Sequence, residues 1–310
     1  MREPLIHIGY HKTGSTWLQD EIFADPSYGF VQADPRMLAD EAFISVNPFA
    51  FDASQAAELF RPLFADAGER DLVPVVSHER LSGDPNSGGV DSRDIADRLN
   101  ETFPNGRVLI VIREQREMLL SVYKSQVRFT TYTIAERWRD RTIRERRTPG
   151  PTLDYFAYHY LVAYYQKLFG AERVLVLPYE LLRRDAVGFV ARIARFVDVA
   201  PPTDVPNASV NVSLPAGLLH LNRYVNIVLR ASGLSERFQG PIQERRLMRG
   251  HLKVLRKLAP LTPKAFSERV ERRWRETIAE LIHGRYAESN RLTAEATGLD
   301  LASFGYDVAN

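Results

Sequence analysis

Four short apolar runs constrain this chain more than any single residue does. Leu5–Gly9, Leu72–Ser77, Arg107–Ile112 and Arg173–Pro178 are rich in Val, Ile and Leu and show no polar alternation. A strand with one wet face alternates apolar with polar residues. A run without alternation is covered on both faces, as in a parallel sheet between two helical layers. Helical spacing of apolar residues fills the intervals, over 15–24, 53–66, 91–102, 115–128, 153–169 and 185–197. Strands that alternate with helices imply right-handed crossovers. The expected fold is α/β, three layers, with a central parallel sheet of four to five strands flanked by helices. After about residue 200 the strand signal ends at Pro201-Pro202 and Pro206, and helical stretches follow at 214–231, 242–258 and 263–292. Residues 1–200 therefore read as an α/β core and 201–310 as a helical C-terminal extension packed on it. The charged segment from Thr131 to Pro151 reads as an excursion from the core.

Composition narrows the function. The chain has 310 residues, 45% of them hydrophobic, enough for one large core or two modest ones. A net charge of +2 gives no global case for nucleic acid. Its distribution is uneven: residues 20–71 carry three basic and eleven acidic side chains, residues 237–275 twelve and three, and residues 137–147 six and two. The basic parts fit an anionic ligand or surface, or a plain solvated face. With no cysteine there is no disulfide, thiolate metal site or cysteine nucleophile. Met1-Arg2-Glu3-Pro4 does not open a signal peptide, and no run approaches the roughly 20 apolar residues of a membrane span. A cytoplasmic protein is expected.

Chemistry enters with Gly9-Tyr10-His11-Lys12-Thr13-Gly14-Ser15-Thr16-Trp17, between the first strand and the first helix. A turn of small residues feeding a helix leaves N–H groups and the positive end of the helix dipole facing an anion. The triphosphate loop Gly-x-x-x-x-Gly-Lys-Ser/Thr puts its lysine after the second glycine and takes a magnesium carboxylate from a later strand. Here Ser15 occupies the lysine position, Lys12 lies inside the loop, and the strand Val108–Ile112 ends in Arg113. These residues call for a further anion and no metal.

Lys12-Thr13-Gly14-Ser15-Thr16-Trp17-Leu18 resembles the 5′-phosphosulfate loop of sulfotransferases, whose donor is 3′-phosphoadenosine 5′-phosphosulfate (PAPS) and whose product is PAP. The run from Arg107 to Tyr123 is similar to the family's second motif, a strand followed by Arg and, eight residues on, Ser, here Arg113 and Ser121. Gln115 stands where the family usually has Pro. Phe169–Glu180, Ala287–Leu292 and Phe304-Gly305-Tyr306 are similar, more loosely, to later parts of bacterial sulfotransferases. The resemblance implies a P-loop-like PAPS-binding core. Loop amides from Thr13 to Trp17, Ser15 among them, with the hydroxyl of Thr16, would hold the 5′-phosphosulfate, and Arg113 and Ser121 would read the 3′-phosphate.

Sulfuryl transfer builds negative charge on the bridging oxygen, so it needs a cation there and a base for the acceptor proton. Lys12 suits the first role. The strand Leu72–Ser77 ends in His78-Glu79, at the carboxyl edge where open parallel sheets do their chemistry. Successive residues of an extended segment point oppositely, so one of the two faces the acceptor. Glu79 is preferred and His78 is the alternative, since the resemblance implies a glutamate there, as in some glycan sulfotransferases, or a histidine, as in many cytosolic ones. His11, inside the loop, lies in reach of the same chemistry.

The acceptor is written less clearly. Arg245, Arg246, Arg249, Lys253, Arg256 and Lys257, with interleaved leucines, fit an acidic glycan, a peripheral membrane contact or a solvated face. Helix 214–231 is apolar enough for core packing, a homodimer interface or a lipid contact. The expected acceptor is a hydroxyl, or an amine, on a saccharide or glycoconjugate, with no nucleic-acid partner. Two rival readings remain at this level. A magnesium-dependent nucleotide kinase or NTPase would need an acidic strand end. A non-catalytic glycan- or membrane-binding protein would lose affinity steeply with salt and ignore Lys12.

Overall fold

A computed structural model describes residues 2–32, 35–139, 149–208, 214–231 and 253–309. They divide into two compact units. The first comprises Met1–Gln115, Arg141–Ser209 and Gly284–Asn310, the second Arg116–Asp140 and Val210–His283. These units cut across a boundary at residue 200, because residues 284–310 fall within the first and 116–140 within the second.

The first unit is built on one five-stranded sheet of β1 (Leu5–His7), β2 (Phe30–Gln32), β3 (Val73–Ser77), β4 (Arg107–Ile112) and β5 (Val174–Pro178), in the order β2-β3-β1-β4-β5. Every neighbouring pair is parallel, and in register Ile6 lies opposite both Val76 and Val108. The four apolar runs are all strands, and β2 is the fifth. β1 and β3 are buried at every position, and β4 at all but Arg107.

Alternation of side chains along each strand splits this burial between two faces. Leu5, Val73, Val75, Leu109, Val111 and Leu177 pack with Phe23 and with Phe189, Val190 and Ile193 of helix Ala186–Phe196. Helix Tyr158–Phe169 packs on β4 and β5 and carries the last helix, Ala287–Thr297, against itself. Replacing Phe189, which is fully buried, by alanine would remove about 3–5 kcal/mol.

In the second unit, helix Ala216–Ala231 packs against helix Lys264–Leu281. Asn226 Nδ2 donates to the carbonyls of Val127, Arg128 and Thr130, which satisfies the chain that leaves helix Gln115–Gln126. Tyr123 and Trp274 meet edge to face at 5.1 Å. Of the basic segment, Lys253, Arg256 and Lys257 are exposed around the buried Leu255, whereas Arg245, Arg246 and Arg249 lie outside the described residues. So does much of the excursion, residues 140–148. No described helix is long and apolar enough to cross a membrane.

Candidate active site

The loop after β1 is shaped by two left-handed residues. Ile8 and Tyr10 extend the strand, their N–H groups bonded to the carbonyls of Leu109 and Val111 on β4 at 3.0 and 3.3 Å. The chain then turns at Lys12 (φ 71°) and Gly14 (φ 89°). For lysine this conformation costs roughly 1–2 kcal/mol; glycine escapes the cost. Helix Ser15–Trp17 starts at once, and Leu18 N–H closes its first turn on the Gly14 carbonyl at 3.1 Å. The helix continues as a π-helical segment, Leu18–Phe23.

Gly9 is required by close approach. A Cβ there would lie 2.6 Å from His7 Nε2, 3.2 Å from Thr13 Oγ1 and 3.3 Å from Ser15 Oγ. Three polar atoms thus converge on one point beneath the loop. Thr13 is fully buried and its hydroxyl donates to the Tyr10 carbonyl. Ser15 is buried, and its hydroxyl has no partner among the described residues, whereas Lys12 and Thr16 are exposed. The Trp17 side chain belongs to the core, among Leu18, Leu181 and Leu182, so only its backbone faces the loop chemistry.

Under the loop runs a buried relay that the sequence reading missed. Gln19 Nε2 donates to Ser77 Oγ at 2.9 Å, and Ser77 Oγ lies 2.8 Å from His7 Nδ1. The assignment that gives the serine hydrogen an acceptor has Ser77 donating to Nδ1, which puts the ring's own hydrogen on Nε2. That Nε2 has no partner among the described residues and is the nearest atom to a Cβ built on Gly9. Burial pushes the His7 pKa down to about 4, against the pull of Glu79, so the ring is neutral at ordinary pH. A histidine within an apolar run reads as strand filler; only its register opposite Ser77 reveals the pair.

Arg113, at the end of β4, reaches the loop. Its Nη1 donates to the Lys12 carbonyl at 3.1 Å, and its guanidinium lies 4.9 Å above the ring of Tyr179. Tyr158 OH donates to the Arg113 carbonyl at 2.6 Å. Beside it Glu180 accepts from Glu114 N–H at 3.1 Å and from Tyr306 OH at 3.0 Å. Burial raises the Glu180 pKa, while these hydrogen bonds and Arg113 oppose the shift. Ser121, the other expected 3′-phosphate reader, lies in helix Gln115–Gln126 within the second unit. Gln115 is buried and forms a reciprocal amide pair with Asn290, at 2.7 and 3.2 Å.

At the end of β3 the two base candidates differ in hydrogen bonding. His78 caps the turn Glu79–Ser82, its Nδ1 accepting from Arg80 N–H at 2.9 Å. A neutral ring so engaged carries its hydrogen on Nε2 and has no lone pair left for an acceptor's proton. Glu79 is half-buried, and its charge acts on both His7 and His11. Burial lowers the His11 pKa against the attraction of Glu79 and Asp84. Arg80 turns away, to Asp91 at 2.9 Å and Asp84 at 3.7 Å.

Comparison with known proteins adds the following. The sequence model of the Sulfotransferase domain family matches residues 2–212. Among solved structures, the chain is similar to a sulfotransferase from Alicyclobacillus acidocaldarius, at 19% identity and a TM-score of 0.49, covering 79% of this chain and 99% of that one. It is also similar to the sulfotransferase domain from the curacin biosynthetic pathway, at 15% identity and a TM-score of 0.40, over 66% and 76% of the two chains. No curated protein matches.

Proposed function

The chain belongs to the sulfotransferase domain family, and on that premise we propose that it moves a sulfuryl group from PAPS to an acceptor hydroxyl, with Lys12 as the catalytic cation and Glu79 as the base. The observation that carries the donor assignment is the bond from Arg113 to the Lys12 carbonyl. It couples two cationic residues from adjacent strands at the position where a metal-dependent loop would meet a carboxylate. The unpartnered Ser15 hydroxyl fits an anion seated on the loop.

Bound there, PAPS supplies the sulfuryl group and departs as PAP. The loop amides from Thr13 to Trp17 and the hydroxyls of Ser15 and Thr16 hold its 5′ end, and Arg113 holds its 3′-phosphate. The Lys12 ammonium offsets charge growing on the bridging oxygen. The Glu79 carboxylate takes the acceptor proton as the new O–S bond forms and the old one breaks; His78, already an acceptor for Arg80 N–H, orders the turn that carries Glu79. His7 Nε2–H, like the Ser15 hydroxyl, lacks a partner among the described residues and lies beneath the same turn. The acceptor is read as a hydroxyl of a saccharide or glycoconjugate.

Calorimetric titration of the metal-free protein with PAP, ADP and ATP tests the donor. PAP is expected to bind at least tenfold more tightly than ADP, because a fork of N–H donors on phosphate is worth about 1.5–3 kcal/mol. Equal affinity for PAP and ADP would remove Arg113 from the site.

A further inference from the structure

Next to the loop the first unit holds a cavity of about 330 Å³. Its walls are tyrosines, Tyr10, Tyr155, Tyr160, Tyr164 and Tyr165, closed on one side by Gly88-Gly89. Both glycines have φ 70°, and a Cβ on Gly89 would lie 2.5 Å from the Tyr155 ring, so the backbone itself forms that wall. One covalent and one hydrogen-bonded link tie the cavity to the reacting groups. Tyr10 precedes His11 and Lys12 directly. Tyr155 OH bonds Ser82 Oγ at 3.1 Å and the Gly83 carbonyl at 3.2 Å, where the turn that begins at Glu79 ends.

The chemistry of the lining is specific. Tyr165 OH is committed to the Leu81 carbonyl at 3.3 Å, and Tyr164 OH donates to Asp97 and accepts from Arg93 Nε. The rings therefore turn faces and edges inward while these hydroxyls bond to protein. Charges at the rim pair off, Arg93 with Asp97 and Arg285 with Asp154. What remains is a ring-walled space whose neutral polar groups are backbone and the hydroxyls of Ser92, Thr152, Tyr10 and Tyr160, with no excess charge. Its volume is at the small end of ligand sites, enough for one ring and not for a glycan chain.

We propose that this cavity is the acceptor subsite and takes a single uncharged sugar ring, the end unit of a neutral glycoside, and not a uronate-bearing one. The aliphatic C–H face of such a ring lies against tyrosine faces, and its hydroxyls find Thr152 and the Gly88-Gly89 backbone. The proposal rests on the assignment of Lys12 and Glu79 above. Tyr160, 67% exposed, is the wall residue that can be removed without disturbing the core.

The test compares initial rates with PAPS for a panel of neutral methyl hexopyranosides, the matching uronates and a simple phenol, on the native protein and on Tyr160→Ala. PAP affinity is measured by calorimetry on both. A neutral glycoside is expected to be the best acceptor, and Tyr160→Ala to raise its KM about fivefold to tenfold, the value of one stacked ring, with PAP affinity unchanged. Equal or better use of uronates or phenol, or an unchanged KM in Tyr160→Ala, overturns the proposal. Failure of the native protein to bind PAP would instead sink the donor reading beneath it.

Discussion

At the residue scale, Lys12 combines a charge with an unfavourable backbone conformation, and the two can be separated. Lys12→Gly removes the ammonium but suits φ 71°. Turnover is expected to fall by about a hundredfold or more, while the unfolding free energy read from urea titration changes by less than about 1 kcal/mol, since relief of strain offsets the added freedom of the unfolded chain. A large loss of stability would mean that the side chain holds the loop together instead. His7 gives a second prediction. Its folded pKa of about 4 lies below the ordinary 6.5, so the unfolded chain binds the proton more readily. Stability should be full above pH 6.5, decline as pH falls towards 4, and flatten below, with about 3 kcal/mol at stake. His7→Gln keeps a donor near the Nε2 position and His7→Asn does not. Urea midpoints across this range should lose the decline in both variants, whereas PAP affinity should suffer about tenfold in His7→Asn alone.

At the element scale, the strands were legible because burial on both faces leaves runs of Val, Ile and Leu that nothing else in the chain imitates. β2 was not, since Phe30–Gln32 is three residues long inside an acidic stretch and only its pairing with Val73–Val75 makes it a strand. The loop and Arg113 could be read from spacing, and the bond that joins them spans adjacent strands 101 residues apart. The relay from Gln19 through Ser77 to His7 was hidden because register, which a single sequence does not display, creates it. The same holds for Gln115 and Asn290, separated by 175 residues. Gln115 opens helix Gln115–Gln126, where proline would fit the backbone; the glutamine instead fastens the end of β4 to helix Ala287–Thr297. Replacing either partner by alanine leaves a buried amide without its mate and should cost about 1–3 kcal/mol. A double-mutant cycle on urea midpoints should return a coupling of at least about 0.5 kcal/mol. Additive losses would show that each amide is satisfied elsewhere.

At the scale of the molecule, the family match ends at residue 212, yet the first unit does not. Residues 284–310 return to it, and their bonds fall on groups around the proposed donor site. Asn290 holds Gln115, Tyr306 OH holds Glu180, and Tyr286 OH donates to the Leu153 carbonyl at 2.8 Å. Helix Ala287–Thr297 also covers helix Tyr158–Phe169. A chain ending at residue 283 would keep every residue proposed for catalysis and still lose these contacts. Two or three buried polar groups would be stranded at about 1–3 kcal/mol each, before the apolar face of helix Tyr158–Phe169 is counted. Against a total stability of about 5–15 kcal/mol, the shortened chain is expected to lose its cooperative thermal transition and its affinity for PAP. Retention of both, measured by circular dichroism and calorimetry, would make the C-terminal segment an accessory. Their loss would make it part of the sulfotransferase core, because the Glu180 carboxylate beside Arg113 takes one hydrogen bond from Glu114 N–H and another from Tyr306, at the far end of the chain.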